Sequence, residues 1–216
     1  MGLIVALAVA GLRGDSVATA QSGCASLGAV SPDNTALVAD CETLLWARNS
    51  LEGDARLNWS VSTPIKDWEG VTLNGTPLRV VGISLNQRGL TGTLPSELGN
   101  LSNLTELDLS YNRLSGTIPA QLGNLSNLTT LDLSGNQLTG TIPTQLGNLS
   151  NLEVLNLWGN RLTGTIPAQL GNLSNLTTLD LSHNKLTGTI PAQLGNLSNL
   201  TTVSYTHLTL PTKRIV

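Results

Sequence analysis

The chain copies itself. Leu104 to Asn127 reads LTELDLSYNRLSGTIPAQLGNLSN. Near-copies begin at Leu128, Leu152 and Leu176, and Val80 to Asn103 is a looser first copy with the same 24-residue period. A fixed period of this length describes a stacked array in which each unit cannot bury its own apolar face and relies on its neighbours. In the copy that starts at Leu128, Leu131 and Leu133 alternate with Asp132 and Ser134, the period-two pattern of a short strand with one buried face. Leu128, Leu138, Ile142, Leu146 and Leu149 must point into the same interior. Each buried aliphatic side chain contributes about 1.5–3 kcal/mol, whereas ordering one residue's backbone costs about 1–2 kcal/mol. Seven aliphatic side chains therefore offset the ordering of a 24-residue unit only when units above and below complete their burial.

The other recurring residues predict how each coil closes. Asn112, Asn136, Asn160 and Asn184 fall where the strand must turn, and a side-chain amide there can satisfy backbone groups that the bend leaves unpaired. Gly116, Gly140, Gly164 and Gly188 permit backbone angles that other residues resist. Pro119, Pro143, Pro167 and Pro191 fix φ and remove a donor, so the return path should be extended or 3₁₀-like rather than a long α-helix. The unit LxxLxLxxNxLxGxIPxxLGNLSN resembles the plant-type class of the leucine-rich repeat family, whose mark is the GxIP segment. The resemblance covers 80–202: five 24-residue copies plus the start of a sixth. It implies an α/β fold, a right-handed solenoid with a short parallel β-sheet on the concave side, a 3₁₀ or extended convex side, an asparagine ladder and an N-terminal helical cap.

Ahead of the repeats, 1–20 resembles a secretory signal peptide. Leu3 to Leu12 is apolar and Ala18-Thr19-Ala20 fits a small-residue cleavage site, although a basic n-region is lacking. Export, with an even cysteine count, predicts one disulfide between Cys24 and Cys41. Closing that loop would be worth about 3 kcal/mol. Two free thiols or a lipid anchor at Cys24 are the alternatives. The cap spans 21–79. Ser31 is placed as a helix N-cap with Pro32 at the first helical position, and Gly53 as the stop. Leu37, Val38, Cys41, Leu44, Leu45 and Leu51 share one helical face. The segment Trp68-Glu69-Gly70-Val71 resembles the cap of plant-type repeat proteins. Lys66 and Leu73 stand where the plant version has cysteines, and in this the cap looks like a variant from secreted bacterial proteins. Trp46, Trp59 and Trp68 are expected to pack cap against coil.

At the other end Val203 to Thr212 breaks the repeat. The segment 203–216 resembles the translation of a sequencing adaptor rather than a native continuation, so the natural chain is expected to be longer. Asn-x-Ser/Thr triplets such as those at Asn124, Asn127 and Asn175 follow from the repeated GNLSNLT. They would accept glycans only in a eukaryotic secretory pathway and otherwise serve as turn asparagines.

Charged residues are 12 % of the chain and the net charge is −3, with no basic cluster, which argues against a nucleic-acid or anionic-membrane partner. No apolar run is long enough to span a bilayer. No nucleophile elbow, phosphate loop or metal-ligand spacing occurs, so neither an enzyme nor a cofactor or metal is expected.

The informative positions are exposed ones at which near-identical copies differ. Tyr111, Trp158 and His183 fall in one band of the expected concave sheet, and Arg113 and Arg161 in the next, with Gln137 and Lys185 completing that row. Asp108, Asp132 and Asp180 form a column with Ser84 and Asn156, either as solvated strand residues or as part of a site. Exposed Tyr, Trp and Arg are the residue types enriched at binding hot spots. The function expected is a secreted or cell-surface binding module, monomeric and part of a longer protein, recognising a protein, peptide or glycan. The alternatives are a structural or adhesive spacer without a specific ligand, and the ectodomain fragment of a receptor-like kinase.

Overall fold

The computed structural model describes Cys24 and residues 34–53, 55–60 and 62–205. The proposed leader 1–20, the expected cap residues Ser31 and Pro32, and the tail beyond Tyr205 lie outside them.

Seven strands form one sheet in sequential order: β1 Val71–Asn74, β2 Arg79–Ser84, β3 Glu106–Asp108, β4 Thr130–Asp132, β5 Val154–Asn156, β6 Thr178–Asp180 and β7 Thr202–Ser204. The hairpin β1–β2 is antiparallel and every later pair is parallel. The register steps by one period each time, so Leu107, Leu131, Leu155 and Leu179 stand side by side and all are buried. Strand β7 carries the register on to Val203 and Ser204, paired with Leu179 and Asp180. After the repeat prolines Pro95, Pro119, Pro143, Pro167 and Pro191 the chain makes a 3₁₀ turn, at Ser96–Asn100, Ala120–Asn124, Thr144–Asn148, Ala168–Asn172 and Ala192–Asn196. Between sheet and turns lies one continuous column of leucine and isoleucine.

The four corner asparagines work as their spacing predicts. Asn136 is buried; its Nδ2 donates to Leu109 O of the previous coil (3.0 Å) and to Leu133 O (3.1 Å) and Ser134 O (3.1 Å) of its own. Its Oδ1 accepts from Leu114 N–H at 2.9 Å, also in the previous coil. Asn112, Asn160 and Asn184 repeat the pattern. Each side chain thus satisfies its own bend and fastens it to the coil before. A second set of asparagines does the same on the flank, where the Nδ2 atoms of Asn127, Asn151, Asn175 and Asn199 donate to Ser102, Ser126, Ser150 and Ser174 carbonyls at 2.8–2.9 Å.

Two features of the return path are not visible in the repeat pattern. Parallel bridges Thr93 to Ser115, Thr117 to Thr139 and Thr141 to Thr163 form a minor ladder beside the main sheet. The glycine of each LGN segment but the last is also closely packed, although its φ is ordinary. A Cβ on Gly147 would stand 2.4 Å from the Gln169 carbonyl oxygen of the next coil, and one on Gly123 would stand 2.4 Å from that of Gln145.

The cap is a helix laid over the first coil. Helix α1, Thr35–Leu51, begins at Asn34, whose Oδ1 accepts from Leu37 N–H at 3.1 Å. The start is therefore later than the expected Ser31, because the Asn34 amide does the capping and its Nδ2 also ties Leu78 O (2.9 Å). The expected apolar face is buried apart from the half-buried Val38, and it also contains Asp40. That buried carboxylate takes a bidentate bond from Arg79 (2.8 and 2.9 Å) and one from Val80 N–H (2.9 Å), so it clamps the cap onto β2. At the helix end, Ser50 O accepts from Thr93 N–H (2.7 Å) and Leu51 O from Gly92 N–H (3.3 Å), which connects α1 to the minor ladder. The Cys24–Cys41 disulfide is formed. Trp59 and Trp68 stack at 5.9 Å and are buried, as cap packing requires. Trp46 does not join them: it is 40 % exposed, on the outer side of α1. Among the described residues no helix is long and apolar enough to cross a membrane.

Two substitutions test these contacts by chemical denaturation. Asn136→Ala leaves the buried Leu114 N–H unpaired and removes one bond each from the Leu109, Leu133 and Ser134 carbonyls, which keep their bonds from Asn112, Asn160 and Tyr111, and should cost about 1–3 kcal/mol. Gly147→Ala should cost about 1–3 kcal/mol through overpacking. In this chain the matched Gly195→Ala should be near neutral, since a Cβ on Gly195 meets nothing within 4 Å.

Candidate ligand-binding face

Side chains on the sheet's outer surface stand in rows, one residue per coil, with neighbours about 5 Å apart. The strand register puts Ser84, Asp108, Asp132, Asn156, Asp180 and Ser204 in one row. The acids there serve the fold. Asp108 Oδ1 accepts from Ser110 N–H (2.9 Å) and Oγ–H (2.7 Å), and its Oδ2 accepts from Asn86 Nδ2 at 3.0 Å. Asp132 Oδ1 accepts from Ser134 N–H (2.9 Å) and Oδ2 from Asn156 Nδ2 (3.0 Å). Asp180 Oδ1 accepts from Ser182 N–H (2.9 Å) and Oγ–H (2.6 Å).

Two residues beyond the acidic row the repeat offers Ser110, Ser134, Trp158 and Ser182, and next come Gln87, Tyr111, Gly135, Gly159 and His183. This last row is left-handed throughout: φ is 55° at Gln87, 53° at Tyr111, 63° at Gly135, 65° at Gly159 and 56° at His183. Glycine adopts such angles freely, whereas a bulky side chain there costs about 1–2 kcal/mol. The repeat itself shows that glycine fits, yet two other coils hold Tyr and His.

The rings of those residues meet. Tyr111 and Trp158 lie 6.1 Å apart between centroids, tilted by 46°, although they belong to coils two steps apart. Gly135 makes this possible: a Cβ on it would stand 3.0 Å from Tyr111 Cδ1. Trp158 and His183 lie 5.4 Å apart, and Trp158 Nε1 donates to His183 Nδ1 at 2.9 Å. Such tilted contacts add about 0.5–1.5 kcal/mol to simple burial. Tyr111 remains 55 % exposed. The sequence places these residues in one band of the face. It gives no sign that the rings touch, because contact depends on the glycines between them and on the lean of each side chain.

One row further on, Arg113, Arg161 and Lys185 are exposed. Among the described residues none of the three has an ion-pair or side-chain hydrogen-bond partner. The neighbouring Arg88 differs: it stands at the ladder position of the first coil and pairs with Glu69 of the cap.

Tyr111→Gly relieves the left-handed strain and removes one ring contact. Its unfolding midpoint should match or exceed that of the unsubstituted chain, and a clear loss of stability would show that the tyrosine is there for packing.

The comparisons agree with this architecture. Residues 76–210 match the family described as leucine-rich repeat region. Receptor-like protein 3 of Arabidopsis thaliana is 38 % identical over 75 residues, covering 34 % of this chain and 10 % of the relative. The ectodomain of the plant membrane receptor kinase GASSHO1/SCHENGEN3 from Arabidopsis thaliana, solved in complex with CASPARIAN STRIP INTEGRITY FACTOR 2, superimposes with a TM-score of 0.76 at 39 % identity, over 79 % of this chain and 21 % of that one. The plant peptide hormone receptor RGFR1, in complex with RGF2, does so with a TM-score of 0.55 at 42 % identity, over 57 % and 20 %. The chain thus spans a tenth of the length of that curated relative and about a fifth of these receptor chains. The chain belongs to the leucine-rich repeat family, in its plant-type class.

Proposed function

We propose that the chain is an extracellular, non-catalytic recognition module whose concave face binds a peptide or an extended segment of a protein. The observation that carries this reading is the Tyr111, Trp158 and His183 cluster. Two of its members occupy left-handed positions that other coils give to glycine, and Tyr111 stays largely exposed. Stacking requires neither feature, and strain of this kind gathers at ligand clamps. A monomer suffices, since every residue of the face comes from one chain. The similar structures solved with named ligands, one of them a plant peptide hormone receptor, support a peptide over a glycan. A fragment of a receptor ectodomain fits the same face.

The near-identity of the coils favours a second reading, a spacer without a ligand, and one experiment separates the two. Trp158→Ala should leave folding intact and weaken ligand binding by about 2 kcal/mol or more, roughly thirtyfold, measured by titration calorimetry on a ligand obtained by pull-down. If Trp158→Ala and Tyr111→Ala both bind like the unsubstituted chain, the concave-face reading fails, and the spacer reading is preferred unless the convex loops hold the site.

A further inference from the structure

We propose that the ligand segment is acidic, and that its carboxylates meet the lane formed by Arg113, Arg161 and Lys185 while an aromatic residue lies against the Tyr111 and Trp158 rings. This rests on the concave-face reading above. Counted by charge, the face looks balanced, with acids in one row and bases in another. The hydrogen bonds break that balance. Both carboxylate oxygens of Asp108 and of Asp132 accept bonds from Ser110 or Ser134 and from Asn86 or Asn156. Asp180 has one oxygen engaged by Ser182. The acids of this row are thus largely engaged, by the turn that follows each strand and by neighbouring asparagines. The cations are not: Arg88 is neutralised by Glu69, while Arg113, Arg161 and Lys185 face solvent with no partner among the described residues. The free cations thus stand along one edge of the face, while the exposed Glu106 lies at the opposite edge, beyond the row of Asp108; the ligand that complements the cationic edge carries carboxylates.

The geometry sets the length of the segment. Arg113 and Lys185 are three coil steps apart, so the lane is about 15 Å long at the usual strand spacing. An extended peptide advances about 3.3 Å per residue, so four or five residues span it. The aromatic cluster lies beside the lane, and there the indole N–H is already given to His183. Trp158 therefore offers a ring face, not a donor, and a ring face suits an aromatic side chain of the ligand.

The test is a displayed random-peptide library selected against the intact chain. Enriched peptides should be acidic and contain an aromatic residue. As synthetic peptides they should bind the Arg113→Glu/Arg161→Glu double variant at least about tenfold more weakly and lose affinity as salt rises. Both side chains are exposed and have no partner among the described residues, so that variant should keep its unfolding midpoint. Peptides that fail on Trp158→Ala but bind the double variant normally would overturn the charge assignment and leave the concave site standing. Peptides insensitive to both changes would overturn the site as well. Enrichment of neutral or basic peptides, or of none while an oligosaccharide binds on a glycan array, would also overturn the proposal.

Discussion

The structure depends on satisfying the backbone where each coil leaves the sheet. After three residues of strand the chain must turn, and the bend leaves buried carbonyls and N–H groups without strand partners. Asn112, Asn136, Asn160 and Asn184 supply the missing bonds, and each also reaches the previous coil. The bend and the stacking are therefore stabilised by the same side chain. A buried backbone group without a partner costs about 1–3 kcal/mol, so the corner fixes the register at which the leucines can stack. The apolar column fills the space that the corners define.

The same economy explains the cap. A stack of coils has an open first edge with apolar interior and unpaired backbone. Helix α1 covers the interior with Leu37, Leu44, Leu45 and Leu51 and answers the edge with the Ser50 and Leu51 carbonyls. Asp40 holds it in place through Arg79 and Val80. A buried carboxylate is tolerated only when its oxygens are satisfied, and here three donors do so. The hairpin β1–β2 then turns the cap's path into the parallel sheet.

A rigid core leaves the outer surface of the sheet free to vary. Gly135 and Gly159 remove side chains from the left-handed row, and Trp158 and Tyr111 meet across the gap. Single exposed residues from separate coils become a cluster because the solenoid holds their rows in alignment.

The repeat made most of this fold legible. Leucine spacing, corner asparagines and GxIP prolines specify solenoid, ladder and 3₁₀ turns, because each is set by local sequence and recurs at one period; the disulfide lies in the cap and was legible from the cysteine count alone. The rows of the binding face were legible for the same reason, since a period of 24 brings Tyr111, His183, Arg113 and Arg161 to fixed places. What the sequence could not determine were contacts between different coils. The fit of Gly147 under Gln169 O, the exposure of Trp46, the Asp40 clamp and the Trp158–His183 bond all involve residues 22 or more apart, or a side chain that points away from its expected neighbour. Whether Asp132 is a free acid or a structural acceptor likewise depends on Asn156 in the next coil. The sequence alone determined which residues share a row; only the folded stack decided which of them are already engaged with one another, because that depends on side-chain direction and on distances the period does not encode.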